Sequence, residues 1–132
     1  MKEEVKALIK YRLERAYESL DEAKLLLEQE HANTFVNRLY YACFYAVSAL
    51  FVMNGLSSSK HSGVRSLFHK NFVKSALIEQ ELGKFYDRLF NRRQKGDYAD
   101  FVRFDVSEVS DWYEKAKEFV ETIELLIKKN SQ

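Results

Sequence analysis

Apolar positions recur in steps of three and four along nearly the whole chain, the spacing of one face of an α-helix. Val5, Leu8, Ile9, Leu13, Ala16, Tyr17, Leu20, Ala23 and Leu27 alternate with Glu, Lys and Arg, predicting an amphipathic helix from about residue 3 to 29. The stretch Gln29-Glu30-His31-Ala32-Asn33 interrupts the period, and Asn33 offers a side-chain cap to the next element. From Thr34 to Asn54 the pattern changes. Phe35, Val36, Leu39, Tyr40, Ala42, Cys43, Ala46, Val47, Ala49, Leu50 and Met53 leave only a thin polar stripe. A helix so apolar is predicted to be central, covered by neighbours or by a partner chain, and Ala42, Ala46 and Ala49 let another helix come close. Asn54-Gly55 supplies its stop, because glycine takes the left-handed cap conformation without penalty.

A shorter helix is predicted over about residues 60–73, with Val64, Leu67, Phe68 and Phe72 inward, then a connector over 74–79. Leu82, Phe85, Tyr86, Leu89 and Phe90 give a fourth helix ending near Arg93. Residues 94–104 have no sustained period and set Tyr98, Phe101 and Phe104 among charges. Asp105-Val106-Ser107-Glu108 has the form of a capping box, and apolar positions from Val106 to Ile127 predict an unbroken last helix. Four long helices and one short one, joined by short connections, make an all-α fold. The expected architecture is an antiparallel up-down four-helix bundle with an additional short helix, forming a single domain over residues 1–132.

Charge and composition narrow the function. With 21 basic and 20 acidic residues the formal net charge is +1, so polyanion binding has to rest on a local patch. The apolar run from Tyr40 to Met53 is short and tyrosine-rich for a bilayer span. The opening MKEEVKALIK lacks the apolar stretch of a signal peptide, and a lone Cys43 excludes an internal disulfide. These features predict a cytoplasmic protein with no membrane association.

Few residues carry the pattern of a chemical site. His31, His61 and His69 lack ligand spacing and no H-E-x-x-H or C-x-x-C occurs, so no metal and no cofactor is expected. The carboxylate pairs Glu3-Glu4, Asp21-Glu22 and Glu79/Glu81 lie beside basic residues on polar faces and read as surface pairing. Cys43, mid-helix among alanines and aromatics, is in an inert setting. The doubly basic stretch Arg92-Arg93-Gln94-Lys95-Gly96-Asp97-Tyr98 is different. Arg88, Arg92 and Lys95 can share one side of a helix end, arginine presents a donor fork suited to phosphate, and nearby aromatics can stack on bases. The plainer alternative is that these cations complement a helix C-terminus while Asp97 and Tyr98 clasp Arg93. Arg38 interrupts the apolar second helix and needs a carboxylate; Asp97 and Asp105 are the candidates.

The chain resembles the HEPN domain family. The resemblance rests on Arg15-Ala16, Ala23-Lys24-Leu25-Leu26-Leu27, Asn37-Arg38-Leu39-Tyr40-Tyr41-Ala42-Cys43-Phe44-Tyr45-Ala46, Lys60-His61-Ser62-Gly63-Val64 and Arg93-Gln94-Lys95-Gly96-Asp97-Tyr98, in that order. It implies a homodimer, often encoded beside a small nucleotidyltransferase as a toxin–antitoxin pair. Active members are metal-independent endoribonucleases that use an arginine followed four to six residues later by a histidine, at a cleft between protomers. After Arg92 and Arg93 no histidine stands at that distance; Asp97 and Tyr98 take its place. Without an imidazole there, no group near neutrality is at hand to move a 2′-hydroxyl proton.

The resulting expectation is a dimeric module that binds a nucleotide, RNA or a cognate nucleotidyltransferase, without strong ribonuclease activity. Arg93 contacts phosphate, Asp97 orients it, Tyr98 stacks or hydrogen-bonds and corresponds to the modified tyrosine that the resemblance implies, and Arg92 and Lys95 add charge. Arg38 is structural. Two alternatives stay open: an endoribonuclease toxin with a degenerate motif using Arg93 and Tyr98 across the dimer, and a non-catalytic scaffold whose aromatic loop docks another protein.

Overall fold

The stripe that begins at Val5 folds as α1, Glu3–Glu28, and turns Ile9, Ala16, Leu20 and Ala23 inward. Glu3 and Glu4 occupy its first turn, where carboxylates meet the positive end of the helix dipole. In the computed structural model, which describes residues 1–98 and 102–130 (96–98 by backbone alone), the remaining helices are α2, Ala32–Asn54; α3, His61–Phe68, continued by a π-helical turn, His69–Val73; α4, Gln80–Tyr98; α5, Val106–Val109; and α6, Trp112–Asn130. There is no strand among the described residues. The protein is an all-α bundle, as the periodicity predicts.

α2 is the shared wall. α1, α4 and α6 all pack on it, which is why Phe35, Val36, Leu39, Tyr40, Ala42, Cys43, Ala46, Val47, Ala49 and Leu50 are buried around most of its circumference. At 23 residues it is long and apolar enough to cross a membrane, longer than the apolar run alone indicates. However, 61% of its most apolar window is buried inside the bundle, so packing accounts for that composition. Gly55 ends it at φ 67°, the left-handed cap expected there. Beside it, four of the largest fully buried rings form one cluster. Phe119 of α6 stacks on Tyr86 of α4 at 5.6 Å and 11°, Phe68 of α3 leans on both, and Tyr86 stacks on Tyr40 at 5.8 Å. Burial pushes the Cys43 thiol well above its ordinary range.

Three local expectations are corrected. α2 starts at Ala32, so Asn33 lies inside its first turn and does not cap it. Its amide clasps a distant segment: Nδ2 donates to the Val102 carbonyl at 2.9 Å, and the Phe104 N–H donates to Oδ1 at 2.8 Å. α4 runs past Arg93 to Tyr98, so residues 94–98 are helix where a loop was predicted. Gln94 and Lys95 are exposed, so the lack of apolar period there reflects a polar stretch of helix rather than the absence of one. The capping box at Asp105 does not form, since its side chain makes no capping bond, and the expected last helix is broken at Ser110–Asp111 between buried Val109 and Trp112.

Glycine matters at one further contact. A Cβ on Gly83 would lie 3.0 Å from both the His69 ring and a Val73 methyl, so its absence lets α4 approach the π-turn.

Phe119→Ala should lower unfolding stability by about 3–5 kcal/mol in urea titrations, through the cavity left beside Tyr86 and Phe68. Asn33→Ala should cost about 1–3 kcal/mol, with the Phe104 amide losing protection in hydrogen exchange.

Candidate functional site

The inward face of α4 runs Leu82, Phe85, Tyr86, Leu89, Phe90, and the next member of that progression is Arg93. The period therefore drives a guanidinium into the bundle, where Arg93 keeps only 5% of its surface exposed. Its Cζ lies 4.7 Å from the centre of the Tyr40 ring and 5.7 Å from that of Tyr41. Both rings come from α2, and cation–π contact of this kind is worth about 0.5–2 kcal/mol, more when desolvated. The first residue of α3 closes the corner. His61 Nδ1 is 2.8 Å from the Tyr40 hydroxyl, and its ring lies 4.6 Å from Phe44. Which of the two donates depends on the imidazole tautomer.

Burial and Arg93 set the protonation of this corner. The His61 pKa is lowered from its ordinary 6.5, first by burial and then by the neighbouring guanidinium. Burial pushes the Tyr40 phenol up to about 12, against the opposing influence of the Tyr86 hydroxyl and Arg93. Tyr86 is pushed well above its usual range by the same burial, and its hydroxyl makes no hydrogen bond of good geometry among the described residues. At neutral pH, therefore, Tyr40, Tyr86 and His61 are uncharged while Arg93 is charged. A permanent cation set in a partly dry, aromatic-walled corner is suited to a phosphate oxygen.

A second polar cluster lies farther along the same α3–α4 seam. His69 Nε2 sits 2.9 Å from Asp87 Oδ1, and Arg65 reaches the same oxygen at 3.7 Å while lying over the Phe90 ring at 4.4 Å. His61, Arg65 and His69 are spaced four apart and so form one row, in which Arg65 and His69 meet α4 while His61 meets the rings of α2. Among the described residues, no three His, Cys, Asp or Glu side chains are grouped to hold a metal ion.

The residues singled out from the sequence do not converge. Arg93 turns inward, whereas Arg92 lies over Phe104 at 6.0 Å, Arg88 over Trp112 at 5.8 Å, and Lys95 is exposed. Phe104 is packed against the core rather than presented to solvent. Asp97 and Tyr98 belong to the last turn of α4, their side chains lie outside the described residues, and so does Phe101. Of the two partners expected for Arg38, Asp97 has its side chain outside the described residues and Asp105 makes no ion pair with it. Arg38 pairs with Glu22 of α1 at 3.4 Å, lies over Tyr41 at 5.0 Å and is only partly buried. Sequence reasoning missed Tyr40 and His61 as neighbours of Arg93. The available signals were a tyrosine within an apolar run and the arginine falling in step with Tyr86 and Leu89.

The folded state resists protonation of His61, whereas the unfolded chain binds that proton at the ordinary 6.5. The stability from neutral His61 is thus complete above pH 6.5, falls as pH drops below it, and levels off beneath the folded pKa. Histidine titration by NMR should place His61 below 6.5, and Arg93→Met should move it back upward. His61→Gln should flatten the corresponding slope of stability against pH.

The family pattern described as the HEPN domain matches residues 9–126. A UPF0332 protein of Thermotoga maritima is 51% identical over 124 residues, covering 94% of each chain. Two proteins of Methanocaldococcus jannaschii that bear the name "Putative toxin" are 33% and 35% identical. The matches cover 89% and 97% of this chain, and 81% and 92% of theirs. A match over most of the length, on a helical bundle with an arginine drawn in against the tyrosines of its central helix, leads to one conclusion: the chain belongs to the HEPN domain family.

Proposed function

We propose that this chain is a toxin-type HEPN module that binds RNA or a nucleotide, acts as a homodimer beside a small nucleotidyltransferase, and has no strong ribonuclease activity. The observation that carries the reading is Arg93, a desolvated guanidinium seated on Tyr40 and Tyr41 with neutral His61 beside them. Arg93 takes a phosphate oxygen. Because α4 continues through Tyr98, Asp97 and Tyr98 lie about one helical turn, roughly 6 Å, farther along the same helix. By that backbone placement we assign them to the same ligand. Lys95 and Arg92 add charge around it. The name carried by the two Methanocaldococcus jannaschii relatives supports the toxin character.

A specific observation favours a second reading, endoribonuclease. The imidazole missing after Arg93 in sequence is supplied in space by His61, from the start of α3. A neutral His61 would take the 2′-hydroxyl proton, the resulting oxygen would attack the adjacent phosphate held by Arg93, and the 5′-oxygen would leave with a proton. The products would be a 2′,3′-cyclic phosphate and a free 5′-hydroxyl.

Arg93→Met keeps much of the volume against Tyr40 while removing the charge, so its helicity should stay close to wild type while its melting temperature falls with the lost cation–π contact. Its affinity for short single-stranded RNA or ATP by calorimetry should drop by about 10-fold or more, the scale of a lost charged hydrogen bond. The slope of log affinity against log salt for RNA should become shallower by about 0.7. Wild-type protein that binds neither ligand, or a variant that binds as well, overturns the binding reading. Metal-free cleavage that leaves cyclic phosphate ends and is lost in His61→Gln would decide for the nuclease.

A further inference from the structure

α1 and α6 meet along an open groove of about 690 Å³. Its floor is apolar, formed by Ile9 and Leu13 of α1 and Ile127 of α6. Half-buried Tyr17 crosses it and donates its hydroxyl to Glu124 of α6 at 2.7 Å. The Arg93 corner is built from α2, α3 and α4, so the two places share no residue.

Charge is sorted by sign along the α1 wall of this groove. Lys6 and Lys10 come before Leu13, whereas Glu14, Glu18 and Asp21 follow it. Some of the groove's charges are already paired within the chain: Lys6 with Glu3, Glu18 with Arg15, and Glu124 with Lys128. Lys10, Glu14 and Asp21 are exposed and form no ion pair among the described residues. Steps of three, four and four join Lys10, Leu13, Tyr17 and Asp21 into one row on α1. A cation thus opens the row, two apolar side chains fill its middle and an anion closes it.

Such a row is its own complement. Lys10 and Asp21 stand eleven residues apart, about 16 Å along the helix axis. A two-fold axis midway between them reverses the partner's α1. Lys10 of each copy then comes opposite Asp21 of the other, with Leu13 and Tyr17 on either side of the axis. A polyanion fits poorly here, because Glu14, Glu18 and Asp21 repel it.

We infer that the α1–α6 groove is a seam for a second copy of this chain, held in register by two Lys10–Asp21 pairs about a centre of Leu13 and Tyr17. Exposed ion pairs contribute little singly and are screened by salt. The charges therefore set orientation, and covering the apolar floor supplies most of the affinity. The inference goes beyond the homodimer proposed above, since it assigns a face that the Arg93 corner does not share. Where that corner also pairs, the two contacts together close a tetramer.

The test is sedimentation velocity across a dilution series, at low and high salt, on the full chain and on Lys10→Glu, Asp21→Lys and the double variant. Both side chains are exposed with no ion pair to lose, so circular dichroism should show unchanged helicity. In a symmetric pair each single substitution turns two attractions into two repulsions. It should weaken association by about 10-fold or more, and the double variant should return to within about 3-fold of wild type. On wild type, a carbodiimide should join Lys10 to Asp21 with no spacer, a bond that their separation on one helix forbids within a single copy.

A tetramer reduced to dimers, or a dimer to monomers, by either single substitution and restored by the double variant bears the seam out. A wild type that is monomeric throughout overturns it. So does association that neither single substitution weakens, or that the double variant fails to restore. Pairing without the Lys10–Asp21 crosslink assigns self-association to another face, leaves the groove to a different occupant and overturns the inference as well. RNA and ATP affinity should be the same in Lys10→Glu as in wild type, and the Arg93 reading is judged by Arg93→Met, so the two fail independently.

Discussion

Everything at this end of the bundle depends on a charge that cannot be neutralised. An arginine has no accessible deprotonated form, so removing it from water has to be offset by its surroundings. The offset for Arg93 comes in part from the faces of Tyr40 and Tyr41, two consecutive residues of α2 whose rings meet at 81°, one edge toward the other. That arrangement works only if α4 lies directly against α2, and His61 reaches Tyr40 only if α3 returns across the same place. One buried cation thus ties three helices to a common corner.

The rest of the fold can be read outward from that corner. Tyr40 also stacks on Tyr86, which continues into Phe119 and Phe68, so a run of rings in contact links the polar corner to the centre of the hydrophobic core. Core and site are not separate regions here. The same burial that stabilises the aromatic cluster raises the phenols of Tyr40 and Tyr86 and lowers the imidazole of His61, leaving neutral groups around one fixed positive charge. Farther along the α3–α4 seam, His69, Asp87 and Arg65 hold the helices together by conventional pairing, with Gly83 giving the π-turn room to approach.

The helices were legible in the sequence because each obeys one period over many residues. α1 and α2 appear close to their expected bounds, and the near-continuous apolarity of α2 correctly marked it as central. What was not legible depends on choices between local and distant partners. Asn33 looks like a cap, but its amide is engaged by the Val102–Phe104 backbone, which no local pattern reveals. Arg38 looked bound for a carboxylate near residue 97 or 105, yet the antiparallel pairing of α1 and α2 brings Glu22 within reach first. Helical rotation sets Arg93 about 100° from Arg92, but which of the two turns inward is decided by the packing of α4 on α2, and only Arg93 is buried. His61 meets Tyr40 across a helix junction, a contact that spacing within a single element cannot encode.

The single thiol gains significance from where it sits. Cys43 is fully buried on α2, with Tyr86 of α4 among its neighbours, so nothing reaches its sulfur until a helix packed on α2 lifts away. The molecule therefore carries its own sentinel of opening. Reaction at that sulfur counts excursions in which the bundle parts, and an oxidant in the surroundings can mark only those copies whose core has already come undone.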